Sequence, residues 1–89
     1  STDHKVASFL GSEIEKLETV EQILPVETNI VIFDLSDATI SAPTLVQKME
    51  ERGFKIGAFG ERRIRIVTHL DVDMDAGAKL IEALKIYLK

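Results

Sequence analysis

Eighty-nine residues with 45% apolar content make one small globular domain, spanning 1–89, and a chain this short buries only about 60–65% of the surface its unfolded form exposes. Fifteen acidic against eleven basic residues give a net charge of −4, which argues against the basic field that nonspecific nucleic-acid binding needs. There is no cysteine, hence no disulfide or thiolate chemistry, and no apolar run approaches the roughly 20 residues that cross a bilayer. The expectation is a chain that works in a reducing, cytoplasmic setting, with neither nucleic acid nor membrane as partner. Its apolar content is high for its size, so either the core is rich or some apolar surface is meant for a partner.

Residues 3–19 predict a helix. Val6, Leu10, Ile14 and Leu17, with Phe9, recur at helical spacing on one face; Glu13, Glu15, Lys16 and Glu18 fall on the other, and Asp3 is the candidate cap. Gly11 inside it costs about 1 kcal/mol relative to alanine, so the helix must lean on packing. Residues 20–27 read as an extended connector, because Pro25 ends any helix there and biases Leu24 toward β or polyproline geometry. Ile30, Val31, Ile32 and Phe33, bounded by Asn29 and Asp34, read as a strand buried on both faces. After a turn at 36–39, Ser41 caps a second helix with Pro43 in its first turn. Leu45, Val46 and Met49 form its inner stripe, and Gly53 stops it after Arg52. Residues 54–59 and 64–68 alternate on either side of Gly60, Glu61, Arg62 and Arg63 and predict a hairpin. Asp71 or Asp73 caps a last helix striped by Leu80, Ile81, Leu84, Tyr87 and Leu88, with Lys85 and Lys89 complementing its C-terminal dipole.

The order α-β-α-β-β-α predicts an α+β fold: a small sheet of about three mainly antiparallel strands, with helices on one face. There is no repeat, low-complexity tract or internal linker. The opening residues run straight into a helix, as in a piece cut from a longer chain.

Strand alternation makes Arg65 the most informative charge. Ile64 and Ile66 point one way, so Arg65, Val67 and His69 point the other. Pattern alone leaves two readings: a solvated sheet face, which is the commoner, or a guanidinium held on a rigid strand to grip a carboxylate or phosphate. Arg62 and Arg63 read as solvated turn charges. His4 and His69 are far apart, with no second ligand at metal spacing. Asp71, Asp73 and Asp75, with Glu82 at the twelfth position, suggest a calcium loop, but Ala76 stands where such a loop needs its glycine, and helix capping accounts for the aspartates. Residues 52–59 partly mimic an RNA-binding octapeptide; Lys55 and Gly57 break the match. The chain has no Gly-rich phosphate loop, nucleophile elbow or catalytic triad, and too little chemistry to be an enzyme on its own.

Two segments go further. PVETNIVIFDL (25–35) and RIRIVTHLDV (63–72) resemble the C-terminal part of the low-specificity L-threonine aldolases, pyridoxal 5′-phosphate (PLP) enzymes of the aspartate-aminotransferase fold type. The first resembles the family's strand beginning Thr-Asn. The second resembles its arginine strand, followed by Val-Thr-His and an acidic helix cap. The resemblance is tight from Pro25 to Val72 and looser over the terminal helices, and it covers about the last quarter of a family member. It implies that the chain is the C-terminal small domain of a cytoplasmic, homo-oligomeric PLP-dependent aldehyde lyase. Such an enzyme cleaves threonine-type β-hydroxy-α-amino acids to glycine and an aldehyde. The Schiff-base lysine and the cofactor-binding residues then lie in a large upstream domain, and the fragment alone is inactive. Arg65 matches the small-domain arginine that binds the substrate α-carboxylate. His69 and Asn29 match as secondary positions, Asn29 in a structural role. The alternative is a stand-alone ferredoxin-like module that binds a small ligand or regulates.

Overall fold

Hydrophobic periodicity resolves into three helices and four strands in the computed structural model, which describes residues 2–26, 29–36, 40–68 and 73–88. In chain order they are α1 (Thr2–Glu15), β1 (Val20–Ile23), β2 (Ile30–Leu35), α2 (Ala42–Glu51), β3 (Gly57–Phe59), β4 (Arg63–Val67) and α3 (Met74–Tyr87). The sheet runs β1-β2-β4-β3 and every pairing is antiparallel. The α+β class and the β3–β4 hairpin are as expected from sequence. The sheet carries one strand more, because the extended connector after α1 pairs with β2. A register irregularity between Val20 and Gln22 and two exposed residues, Glu21 and Gln22, keep its pattern from alternating.

The helices share one face of the sheet. Val31, Phe33 and Leu35 of β2 and Ile64 and Ile66 of β4 are buried in one cluster with Val6, Leu10 and Ile14 of α1, Leu45 and Met49 of α2, and Leu80 and Leu84 of α3. The alternate residues of both strands are only half-buried. The expectation that β2 is buried on both faces is therefore corrected. Its run of apolar residues reflects β propensity, while a single layer of helices covers one side.

Helix ends follow local chemistry. Ser41 accepts from the Thr44 N–H and Pro43 lies in the first turn of α2; Gly53, at φ 90°, takes the left-handed conformation that ends it. Asp73 caps α3 by accepting from the Ala76 N–H, 2.9 Å away; Asp71, the other candidate, lies outside the described residues. α1 already contains Asp3, so that residue is not its cap, and α1 ends at Glu15, before Leu17. The Thr19 hydroxyl donates to the Leu88 carbonyl, tying the end of α3 to the start of β1. Gly11 has a packing reason: a Cβ there would lie 2.6 Å from Cγ2 of Val26, so the strand-side connector crosses α1 closer than any side chain permits. Among the described residues, no helix is long and apolar enough to cross a membrane.

Candidate functional site

Cross-strand partners share a face of a sheet, so the register lays out the side that the helices leave open. One transverse row is Gln22, Asp34, Arg63 and Phe59; the next is Ile32, Arg65 and Gly57; then come Ile30 and Val67. In the first row Arg63 grips Asp34 with two hydrogen bonds, Nε donating to Oδ1 at 2.7 Å and Nη2 to Oδ2 at 3.1 Å. Gln22 Nε2 donates to the same carboxylate at 3.0 Å. The Arg63 guanidinium, with a smaller contribution from Gln22, holds the Asp34 carboxyl below its ordinary value against the opposing effect of desolvation, and Asp34 in turn raises Arg63. The reading of Arg63 as a solvated turn charge is thereby corrected: it begins β4 and is neutralised across the ladder.

Arg65 is placed differently by the same strand. It is half-buried and faces the open side, as alternation implies. Its cross-strand neighbours are Ile32 and Gly57, and neither offers a side-chain acceptor. Among the described residues no hydrogen bond or ion pair neutralises its guanidinium.

A cavity of 560 Å³ opens beside it. β3 begins at Gly57, opposite Arg65, so Ile66 and Val67 have no β3 partner, and the irregular stretch 54–56 borders the space instead. The sheet side is formed by Arg65, Ile66, Val67 and Thr68, and the helical side by Leu10, Ala76 and Leu80. Phe54, Lys55 and Ile56 close the third side. Among the described residues that line it, the two charged ones, Lys55 and Arg65, are both cations.

Asn29 fixes the end of this wall. Its Nδ2 donates to the Thr68 carbonyl at 2.9 Å, and the Thr68 N–H and hydroxyl donate back to the Asn29 carbonyl at 2.8 and 3.2 Å. Asn29 thus holds β2 and β4 together where β4 enters the cavity. His69, the other secondary position, lies outside the described residues. Sequence reasoning did not bring Phe54, Lys55 and Ile56 to Arg65, although their place in the first arm of the hairpin was the available signal. The Asp34–Arg63 pair was also missed; both charges border predicted strands, but only the register joins them.

No protein-family model matches the sequence, and neither does any curated protein. By shape the chain is similar to Lactobacillus brevis glutamate decarboxylase, with a TM-score of 0.84 and 18% identity over 97% of this chain and 22% of that one. It is also similar to Plasmodium falciparum ornithine delta-aminotransferase, with a TM-score of 0.73 and 9% identity over 98% of this chain and 24% of that one. Plasmodium yoelii ornithine aminotransferase gives a TM-score of 0.72 and 12% identity, over 97% of this chain and 25% of that one. The chain therefore spans about a quarter of the length of these enzymes. At such identities the likeness establishes a shared fold: nearly all of this chain has the shape of one segment of an aminotransferase or decarboxylase.

Proposed function

We propose that this chain is the C-terminal small domain of an L-threonine-aldolase-like, PLP-dependent aldehyde lyase, in which Arg65 binds the α-carboxylate of the amino-acid substrate. The observation that carries this reading is the contrast along β4. Arg63 is paired with Asp34 through two hydrogen bonds, while for Arg65, two residues on and lining a cavity, no hydrogen bond or ion pair neutralises the guanidinium among the described residues. Support comes from the resemblance over 25–35 and 63–72. The shared fold with an amino-acid decarboxylase and two aminotransferases, enzymes that work with PLP, adds to it.

The residues present do not fit the cofactor itself. Lys55, the lysine at the cavity, is exposed on an irregular stretch with no element to fix it. Among the described residues, the donors expected around a phosphate are not gathered there. Cofactor binding accordingly belongs to an upstream large domain of the same polypeptide. What this chain contributes is orientation: a planar guanidinium on a paired strand can hold a carboxylate through two parallel hydrogen bonds and thereby fix the rotation about the substrate's Cα, which a point charge does less well. The parent is read as a cytoplasmic homo-oligomer.

The test is the full-length reading frame, assayed for glycine and aldehyde released from threonine. The reading predicts activity that depends on added PLP; a loaded, folded enzyme that leaves β-hydroxy-α-amino acids intact sinks the aldolase assignment. The second reading, a stand-alone ligand-binding module, draws on the cavity. It predicts that the reading frame encodes no large domain ahead of this one.

A further inference from the structure

We infer that the outward row of α3 is an interface with a second copy of this chain, the two helices packing antiparallel about a two-fold axis between Ala78 and Glu82. α3 carries apolar residues that the core does not use: Ile86 is 50% exposed and Met74 45%. With Ala78 and Glu82, both exposed, they form a row in which residues recur four apart. Such rows stand as ridges on a helix, and the ridges of two helices interdigitate when the axes cross at about 50°. A groove of 320 Å³ already lies beside this row. α3 contributes Ala78, Ala83 and Ile86 to it, and the residues that follow α2 contribute Arg52 and Phe54. Arg52 is fixed against α3, its Nε donating to the Tyr87 hydroxyl at 2.8 Å and its guanidinium 5.4 Å from the ring centroid. The groove is thus formed before anything enters it, which lowers the cost of association.

The row is self-complementary. A two-fold axis at its middle sets Met74 opposite Ile86 of the second copy and Ala78 opposite its Glu82, and each contact occurs twice. Met74, unbranched and adaptable, then enters the groove beside Ile86 and Phe54. Ala78 is small enough for the helices to approach where they cross. The charges agree with this packing. Lys79 follows Ala78 and so meets Glu82 of the second copy. Within one copy Lys79 pairs with Asp75 at 3.3 Å and Lys85 with Glu82 at 3.8 Å. The dimer joins these exposed pairs into a series of alternating sign: Asp75 and Lys79, then Glu82 and Lys85 of the second copy. Such networks stabilise where isolated exposed pairs contribute little. A partner of other sequence gains nothing from this symmetry. The surface is smaller than the roughly 20–30 residues a side of a stable complex, so the dimer is weak and depends on concentration. None of this rests on the aldolase reading, and it uses neither β4 nor the open face of the sheet.

The test sediments the 89-residue chain across a concentration series, with amide spectra confirming that each variant is folded. The wild type should dimerise at about 0.1–1 mM, and dilution should shift the amides of Ala78, Glu82 and Ile86. Lys79→Glu and Glu82→Lys should each weaken the dimer about tenfold, since each sets like charges across the axis twice. An equimolar mixture of the two variants should recover the loss, because the mixed dimer carries only opposite charges at these contacts. Both substitutions in one chain should recover it too. Ile86→Asn should abolish the dimer. Ile32→Thr with Phe59→Ser, which strips the open face of the sheet, should leave the recovery on mixing unchanged. Equal association of single and mixed variants, dilution shifts confined to the sheet, or a chain still monomeric at about 1 mM would each overturn the proposal. Shifts along α3 without recovery on mixing would also overturn it, by giving this face to another packing or another partner. Failure here leaves the aldolase reading untouched, since that is measured by turnover in the full-length protein.

Discussion

Two arginines on one face of β4 meet opposite fates because of what β2 places across from them: an aspartate opposite Arg63, an isoleucine opposite Arg65. On the function proposed above, truncating Arg65 in the full-length parent would remove a charge-assisted contact of about 1.5–3 kcal/mol, or roughly ten- to two-hundredfold in kcat/KM. Arg65→Ala should show that loss with cofactor loading intact, and Arg65→Lys should recover only part of it, since an ammonium lacks the fork. KM rises alone if the contact only anchors substrate; kcat falls too if it sets the scissile torsion. Steady-state kinetics decide, and wild-type kcat/KM in Arg65→Ala would reduce the residue to a solvated strand charge. Asp34 predicts a different observable. Its folded pKa lies below the unfolded value of 3.8, so the unfolded state binds more protons as pH falls. The stabilisation from its pairing is fully present above that value and is lost as pH drops through the lowered one. Urea midpoints between pH 5 and 2.5 should therefore fall more steeply for the wild type than for Asp34→Asn. Glu13, held down chiefly by its hydrogen bond from Lys16, adds the same slope to both proteins and leaves the difference intact. Parallel acid limbs would mean that the Arg63 bridge contributes nothing. The direction of Arg65 was legible in the sequence because alternation is local to a strand. The Asp34–Arg63 bridge was not, because it depends on a register between residues 29 positions apart.

At the level of elements, local codes were readable and close approaches were not. Ser41, Pro43 and Gly53 announce both ends of α2, since a cap, a preset φ and a left-handed stop act within a turn of the residue that causes them. β1 went unread as a strand because an edge strand of four residues, with its middle two exposed, has no apolar alternation to show. The missing Cβ of Gly11 looks like a helix defect in sequence and is a packing requirement in space. Gly11→Ala gains about 1 kcal/mol of helix propensity. It also forces a methyl against a short, branched Val26 side chain that cannot simply swing away, and overpacking of this kind costs about 1–3 kcal/mol. The single variant should be less stable than the wild type, and Val26→Ala in the same chain should restore much of the loss. Thermal melts of the single and double variants check this. A Gly11→Ala protein more stable than its parent would show that the connector yields freely.

Across the described residues, the helices cover the sheet on one side only. Three helices bury Val31, Phe33, Leu35, Ile64 and Ile66, while Ile30, Ile32 and Val67 remain half-buried on the opposite face and Phe59 is 55% exposed. The high apolar content is thus divided between a core and a second, open surface, as the composition allowed. Apolar surface left on a sheet face is a hallmark of an interface, and on the reading proposed here the occupant is the upstream domain of the same polypeptide. The Asp34–Arg63–Gln22 row suits that role, because its charges are already neutralised within the face and can be covered at little desolvation cost. The isolated chain should therefore bind an apolar dye and self-associate as its concentration rises, whereas the full-length protein should do neither through this face. Ile32→Thr and Phe59→Ser together should weaken dye binding and association of the fragment while leaving its fold intact, since neither side chain belongs to the buried cluster. Sedimentation across a concentration series, with dye fluorescence in parallel, reads both effects. A fragment that stays monomeric at high concentration and leaves the dye dark would mean that this face is built for solvent, and would take with it the strongest structural reason for expecting a second domain.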